Sequence, residues 1–294
     1  MINIHHGIFD FLSLSVFLNE LFSIYYDLPM QPKKYDFFKF INDTKDHDYS
    51  EVKKFWSEYL KDRKKSVAFP PKTDRVRMKM TAKDTVKCLD VQYGSIDTEK
   101  LKRVCIKLNI SVFTIMCSVL AEIMQQATGK DDITLATVFH GRPTDYTGIS
   151  EVIGLLAQIM PIRFKISKDI SFEKRLIEKQ KEIDEILKNQ GIGMNDIYCM
   201  QTFEERLIGD YFKVMINYHT DYMEVLPKGL GEIECSEIGK HPEDIPLYIQ
   251  ITSHKKDMTF SFMYAEKLYT EEMIKDIINN FFTCLNSWIN KVML

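Results

Sequence analysis

His5 and His6 stand side by side near the N-terminus, and Asp10 follows four residues after the second. An imidazole with an ordinary pKa near 6.5 can take a proton from an attacking amine or alcohol, or position that group by a hydrogen bond. A nearby carboxylate would then fix a ring tautomer or hold the loop. Ile2-Asn3-Ile4-His5-His6 alternates like the end of a half-buried strand, so successive side chains should point to opposite faces. On that reading the two histidines cannot share one cleft: one works and the other supports, and alternation does not say which. No Gly-x-Ser-x-Gly elbow accompanies them. The plainer alternatives are a packed core histidine or a pair of incidental metal ligands.

The elements that must carry these groups follow at once. From Ser13 the pattern becomes helical, with Leu14, Val16, Phe17, Leu18, Leu21, Phe22 and Tyr25 on a mostly apolar face and Ser13 as the expected N-cap. Asp10 then sits in a strand-to-helix turn. It is better suited to a structural ion pair than to proton transfer. Candidate partners are Arg142 and Arg163, or a group outside the chain. Farther along, Asn217 could hydrogen-bond a substrate carbonyl, with His219 two residues on and on the same face; a strand residue with a local partner is the competing reading. His140, before Gly141-Arg142-Pro143, could be a second base but more simply flanks a turn. Lys61, Arg63, Lys64 and Lys65 could meet a phosphate or an acidic partner, although a solvated helix end explains them more simply.

His5-His6-Gly7-Ile8-Phe9-Asp10-Phe11 resembles the HHxxxDG signature of the condensation domains of nonribosomal peptide synthetases, a branch of the chloramphenicol acetyltransferase-like superfamily. Other segments resemble the family in its own order. Lys54 to Leu60 is similar to its aromatic-Trp helix, Ser111 to Gly129 to its long buried helix, and Asp131 to Thr137 to the strand that follows. Gly141-Arg142-Pro143 resembles the next loop, Ile153 to Arg163 the IGxxxNxxPxR segment, and Phe212 to Tyr218 the F-x-V-x-x-N-Y strand. The likeness runs through nearly all 294 residues. Phe11 stands where the signature has glycine and Gln158 where the family has asparagine; Asn189 to Met194 only faintly resembles the HQxxPF stretch, and the Arg-Asp-x-Ser motif has no good counterpart before Phe212.

The resemblance implies amide formation: the amine of one carrier-bound aminoacyl thioester attacks the acyl thioester on another carrier. It assigns the working role to His6, leaving His5 to brace and Asp10 to a structural pair. It implies no cofactor bound by the chain itself, since the substrates hang on the phosphopantetheine arms of carrier proteins. The expected partners are peptidyl or acyl carrier proteins and neighbouring synthetase domains. It also implies two similar halves with a cleft between them. The expected division is therefore residues 1–60 as a remnant of the first half, 61–80 as a linker and 81–294 as the second half, with the missing half supplied by another polypeptide or a symmetry mate. A stand-alone acyltransferase using CoA or a carrier, and a catalytically silent carrier-docking module, are the alternatives.

Composition bounds the rest. A chain of 294 residues with 45% hydrophobic and 28% charged content can bury a sizeable core. A net charge of -3 gives no global attraction to nucleic acid. The six cysteines, at 88, 105, 117, 199, 235 and 284, form no Cys-x-x-Cys pair, so a structural metal is not expected and the thiols read as buried in a reducing cytosol. No membrane-length apolar run or signal peptide is seen, which points to a cytoplasmic setting. Strands are expected at Thr85–Tyr93, Ile133–Phe139, Ile159–Ile166, Phe212–His219, Leu247–His254 and Met258–Tyr264. Helices are expected at Ser95–Leu108 (capped by Ser95 or Asp97), Ser111–Ala127 (closed by Gly129), Ser171–Asn189 and Thr270–Val292. Lys255-Lys256-Asp257 should turn a hairpin. The fold class is then α/β, a two-layer sandwich with a mixed, largely antiparallel sheet covered by helices, as the resemblance also implies.

Overall fold

The computed structural model describes the chain except residues 1, 3, 31, 34, 74–83, 143–145, 168, 221–244 and 294. Cys235, Pro143 and the 74–80 part of the expected linker lie outside the described residues. Alternating burial over Leu247–Ser253 and Met258–Ala265 marks strands with one face inward. Six strands form one sheet: β1 (Val86–Tyr93), β2 (Asp132–Phe139), β3 (Gln158–Lys165), β4 (Val214–Thr220), β5 (Leu247–Ser253) and β6 (Met258–Ala265). Their order is β1-β6-β5-β4-β2-β3. The β1/β6, β5/β6 and β2/β3 pairs are antiparallel, while β2/β4 and β4/β5 are parallel. The mixed, largely antiparallel sheet matches expectation, and the backbone N–H of His254 closes the Lys255-Lys256-Asp257 hairpin on the Asp257 carbonyl at 2.9 Å.

Nine helices lie among the described residues: α1 (Phe11–Tyr25), α2 (Phe37–Thr44), α3 (Ser50–Tyr59), α4 (Ser95–Leu108), α5 (Val112–Thr128), α6 (Phe172–Lys188), α7 (Met194–Met200), α8 (Phe203–Ile208) and α9 (Glu271–Met293). Helix α5 is the spine of the core, burying Ile115, Met116, Val119, Leu120 and Ile123. Against it stand Ile274, Phe281, Leu285 and Ile289 of α9, and below it the inward residues of the strands. Each such side chain contributes roughly 1.5–3 kcal/mol by leaving water. Trp56 of α3 is fully buried in the same cluster, with its indole N–H donating to the Asn189 carbonyl at 2.8 Å. Helix α5 starts on Ser111, whose hydroxyl accepts the Thr114 N–H at 3.0 Å, and ends on Gly129 in the left-handed region that glycine tolerates. No single helix among the described residues is long and apolar enough to cross a membrane.

Some local expectations are corrected. The segment leading to His5 is not a strand among its described residues; a 3-10 turn runs over His6–Ile8 instead. Helix α1 begins two residues earlier than Ser13, with Asp10 as its cap. Helix α4 is preceded by Gly94, and neither Ser95 nor Asp97 caps it. Helices α2, α7 and α8 are additional to those expected. Cys105 and Cys117 are buried, but Cys88 and Cys199 are exposed.

Candidate functional site

Asp10 is the knot of the N-terminal turn. Its Oδ1 accepts the Ser13 N–H at 2.9 Å, the Ser13 hydroxyl at 2.7 Å and Arg142 Nη2 at 2.9 Å. Its Oδ2 accepts Arg142 Nη1 at 2.8 Å and the backbone N–H groups of Leu156 and Ala157 at 3.1 and 3.2 Å. Asp10 and Arg142 are each 3% exposed, so the bidentate pair is desolvated, with both carboxylate oxygens engaged and the buried Arg142 Nε left without a hydrogen-bond partner. Burial pushes the Asp10 carboxyl up, but the hydrogen bonds from Arg142 and Ser13 and the Arg142 charge outweigh it and hold it below the usual carboxylate range.

Two glycines let this knot close. Gly141 has φ +63°, and a Cβ there would sit 1.7 Å from the Leu156 carbonyl oxygen. Its N–H donates to Gln190 Oε1 at 3.1 Å. Gly154, whose N–H donates to the Ser13 hydroxyl at 2.9 Å, would place a Cβ 2.4 Å from the Phe37 ring. The loops after β2 and before β3 are thereby pressed against the start of α1. Arg142 also reaches the carbonyls of His140 and Val152 at 3.0 and 3.1 Å.

On the solvent side of the knot both histidines are exposed, and their backbone contacts differ in kind. His5 Nδ1 accepts the Gly7 N–H at 2.9 Å, so that nitrogen carries no proton. His6 Nδ1 lies 2.6 Å from the Phe9 carbonyl oxygen, which only accepts, so His6 Nδ1 carries the proton. The neutral rings are therefore opposite tautomers: the lone pair of His5 is spent on the turn, whereas that of His6 is on Nε2.

The other candidates separate. Arg163 is remote from the knot, pairing with Asp132 at 2.9 and 2.7 Å and donating to the Lys61 and Asp62 carbonyls at 2.6 and 3.0 Å. His140 Nδ1 accepts the Arg142 N–H at 3.0 Å, a turn contact; burial first and the Arg142 charge second push its imidazole below the usual range, against the pull of Asp10. Asn217 Oδ1 accepts the next N–H, that of Tyr218, at 3.1 Å. His219 Nε2 is 3.1 Å from Thr252 Oγ1, and its ring lies 4.5 Å from that of Phe11. Arg63 is no solvated helix end. It is 3% exposed, donates to the Gly209 carbonyl at 2.6 Å and lies over the Tyr211 ring at 4.1 Å. Sequence reasoning missed Ser13 as a member of the knot, and the amides of Leu156 and Ala157; a serine three residues after a carboxylate cap was the available signal.

A cavity of about 230 Å³, lined by Phe164, Phe172, Arg175, Lys179 and Trp288 among others, lies at the far end of β3 from the knot. No group of three or more His, Cys, Asp or Glu suited to a metal occurs among the described residues.

A family model for the condensation domain matches residues 1–292. Bacitracin synthase 3 of Bacillus licheniformis is 23% identical over 284 residues, a match covering 94% of this chain and 4% of that protein. Tyrocidine synthase 2 of Brevibacillus parabrevis is 22% identical over 292 residues, covering 93% of this chain and 8% of that protein. The chain thus spans a small part of the length of these relatives. Among solved structures, the epimerization domain from the third module of tyrocidine synthetase B superposes with a TM-score of 0.74 at 17% identity, covering 99% of this chain and 68% of that one. A four-domain nonribosomal peptide synthetase bound to AMP and glycine gives 0.76 at 14% identity, covering 98% and 23%. With its fold, its histidine turn and a family model spanning almost its whole length, the chain belongs to the condensation-domain family of nonribosomal peptide synthetases.

Proposed function

We propose that this chain carries the amide-forming site of a condensation domain, with His6 as the group that orients or deprotonates the attacking amine. The amine nitrogen of an aminoacyl thioester bonds to the carbonyl carbon of an acyl thioester, and the C–S bond of the latter breaks. The proton leaving the amine passes to His6 Nε2 and then to the departing thiolate, so nothing else is consumed. His5 braces the turn. Asp10 and Arg142 are positioning residues, holding the backbone from which both histidines project. Arg163 ties the segment after α3 to β2 and β3 and takes no part in chemistry. Asn217 and His219 line the approach on the β4 side.

The observation that carries this reading is the His6 contact with Phe9, which leaves Nε2 as the basic nitrogen on an exposed turn. The substrates would be tethered to phosphopantetheine on carrier proteins, and the partners would be those carriers and adjoining synthetase domains. Residues 1–60 would supply the histidine motif, 61–80 the connection and 81–294 the main lobe. The test is single-turnover amide formation between two loaded carrier proteins, comparing the chain with His6→Ala. Removing a general base costs about 10²–10⁴ in rate. Carrier binding without amide product, unchanged by His6→Ala, would instead identify a docking module, and acyl transfer to alcohols alone a different acyltransferase.

A further inference from the structure

Strand β1 closes one end of the sheet, and among the described residues it is hydrogen-bonded to β6 alone. Its pairing with β6 fixes the direction of every main-chain group on it. One step beyond the Val86–Ala265 pair, the Glu266 N–H donates to the Thr85 carbonyl at 3.0 Å, so Thr85 and Glu266 form a hydrogen-bonded pair. Hydrogen-bonded and non-hydrogen-bonded pairs alternate along an antiparallel ladder. Lys87, Leu89, Val91 and Tyr93 therefore turn their N–H and C=O groups to β6, while Val86, Cys88, Asp90 and Gln92 turn theirs outward. Cys88, Asp90 and Gln92 are exposed, and none of the four makes an outward main-chain hydrogen bond among the described residues. The strand runs eight residues in unbroken register, with neither a proline nor a bulge to blunt its edge.

We propose that this edge pairs with the same edge of a second copy of the chain, joining the two sheets antiparallel about a two-fold axis perpendicular to them. Such an axis keeps every side chain on its own face, so residues facing each other across it are separated by an even number of positions. The outward row runs from 86 to 92, and only an axis through Leu89 uses all of it. Val86 then faces Gln92 and Cys88 faces Asp90, each pair occurring twice. An axis through Lys87 would set two ammonium groups directly opposite each other, and like charges opposed in this way destabilise a strand pair. With Leu89 on the axis, Lys87 faces Val91 and Asp90 faces Cys88, so no like charges oppose. Leu89 of one copy meets Leu89 of the other at a non-hydrogen-bonded position, where side chains approach most closely. Leu89 and Val91 are half-buried and packed against the main apolar cluster, which the junction would continue from one copy into the next. The edge is its own complement in hydrogen bonds, charge and apolar surface.

The test reads mass and amide hydrogen exchange of the full chain together, at about 10 μM and about 1 mM, since a second copy acts by mass action. Light scattering should show a dimer at the higher concentration. The amides of Val86, Cys88, Asp90 and Gln92 should exchange about tenfold or more slowly there than at the lower one, while those of Leu89 and Val91 stay slow at both. Asp90→Pro removes one outward N–H and no bond to β6, a substitution an edge strand tolerates. It should keep the native thermal transition and stay monomeric at the higher concentration. A native chain that is monomeric at both concentrations, a dimer whose four outward amides exchange as fast as in the monomer, or a folded Asp90→Pro that still dimerises would each overturn the pairing. If the proline variant unfolds, exchange in the native chain decides alone.

Discussion

At the residue scale the account turns on Asp10, whose carboxylate receives six donors from three parts of the chain. Asp10→Asn leaves the buried Arg142 charge uncompensated, which typically costs about 3–5 kcal/mol. Because the Asp10 carboxyl lies below its ordinary value in the folded state, its stabilising effect is complete above the unfolded pKa of about 3.9 and declines as pH falls through the folded value. The stability gap between the native chain and Asp10→Asn, measured by urea unfolding, should be constant from pH 6 to about pH 5 and shrink below about pH 4. A gap that grows on acidification would contradict the pairing. The sequence made Asp10 legible as an ion-pair residue but not its partner, because Arg142 lies 132 positions away and Arg163 fits the spacing no worse. It also misassigned the helix cap. Ser13 and Asp10 are both good cap residues, and only the packing of the loops around Gly141 and Gly154 decides between them.

At the scale of elements, the site depends on how closely the loops flanking β2 and β3 approach α1. Gly141→Ala must relieve both a left-handed φ and a collision with the Leu156 carbonyl. It should lower the thermal midpoint by several degrees and, with Arg142 displaced, reduce amide formation along with stability; an alanine variant of native stability would show that the loops do not meet as described. The strands and the four long helices after residue 85 were readable because their apolar residues recur at periods of 2.0 and 3.6 over seven or more positions. Helices α7 and α8, of seven and six residues, are too short to express a period, and α2 is written as an aromatic run, Phe37-Phe38-Lys39-Phe40. The residues before His5 alternate as a strand would. From His6 the chain turns instead, over His6–Ile8, where the rings of both histidines take backbone partners, a local competition that alternation does not record.

At the scale of the molecule, one apolar cluster joins the sheet, α5, α9 and Trp56, and the turn proposed to carry the chemistry contributes no residue to it. Phe281→Ala, at a fully buried position of α9, should cost about 3–5 kcal/mol in chemical denaturation. Below its unfolding transition it should leave the ring resonances of His5 and His6 where they are. Shifted histidine signals in a folded Phe281→Ala would mean that core and site are coupled more tightly than the contacts indicate. The composition and the order of elements conveyed this layered architecture, while the contacts that tie Asp10 and Ser13 to Arg142, Gly154, Leu156 and Ala157 are non-local and became visible only in three dimensions.

The chain holds its two adjacent histidines in opposite tautomers, which leaves Nε2 as the unprotonated nitrogen of a neutral His6 ring. Ring-nitrogen NMR of the folded protein, at a pH where both rings are neutral, measures this directly. His6 should show a protonated Nδ1 and a bare Nε2, and His5 the reverse. A His6 ring protonated at Nε2, or two rings of the same tautomer, would contradict it.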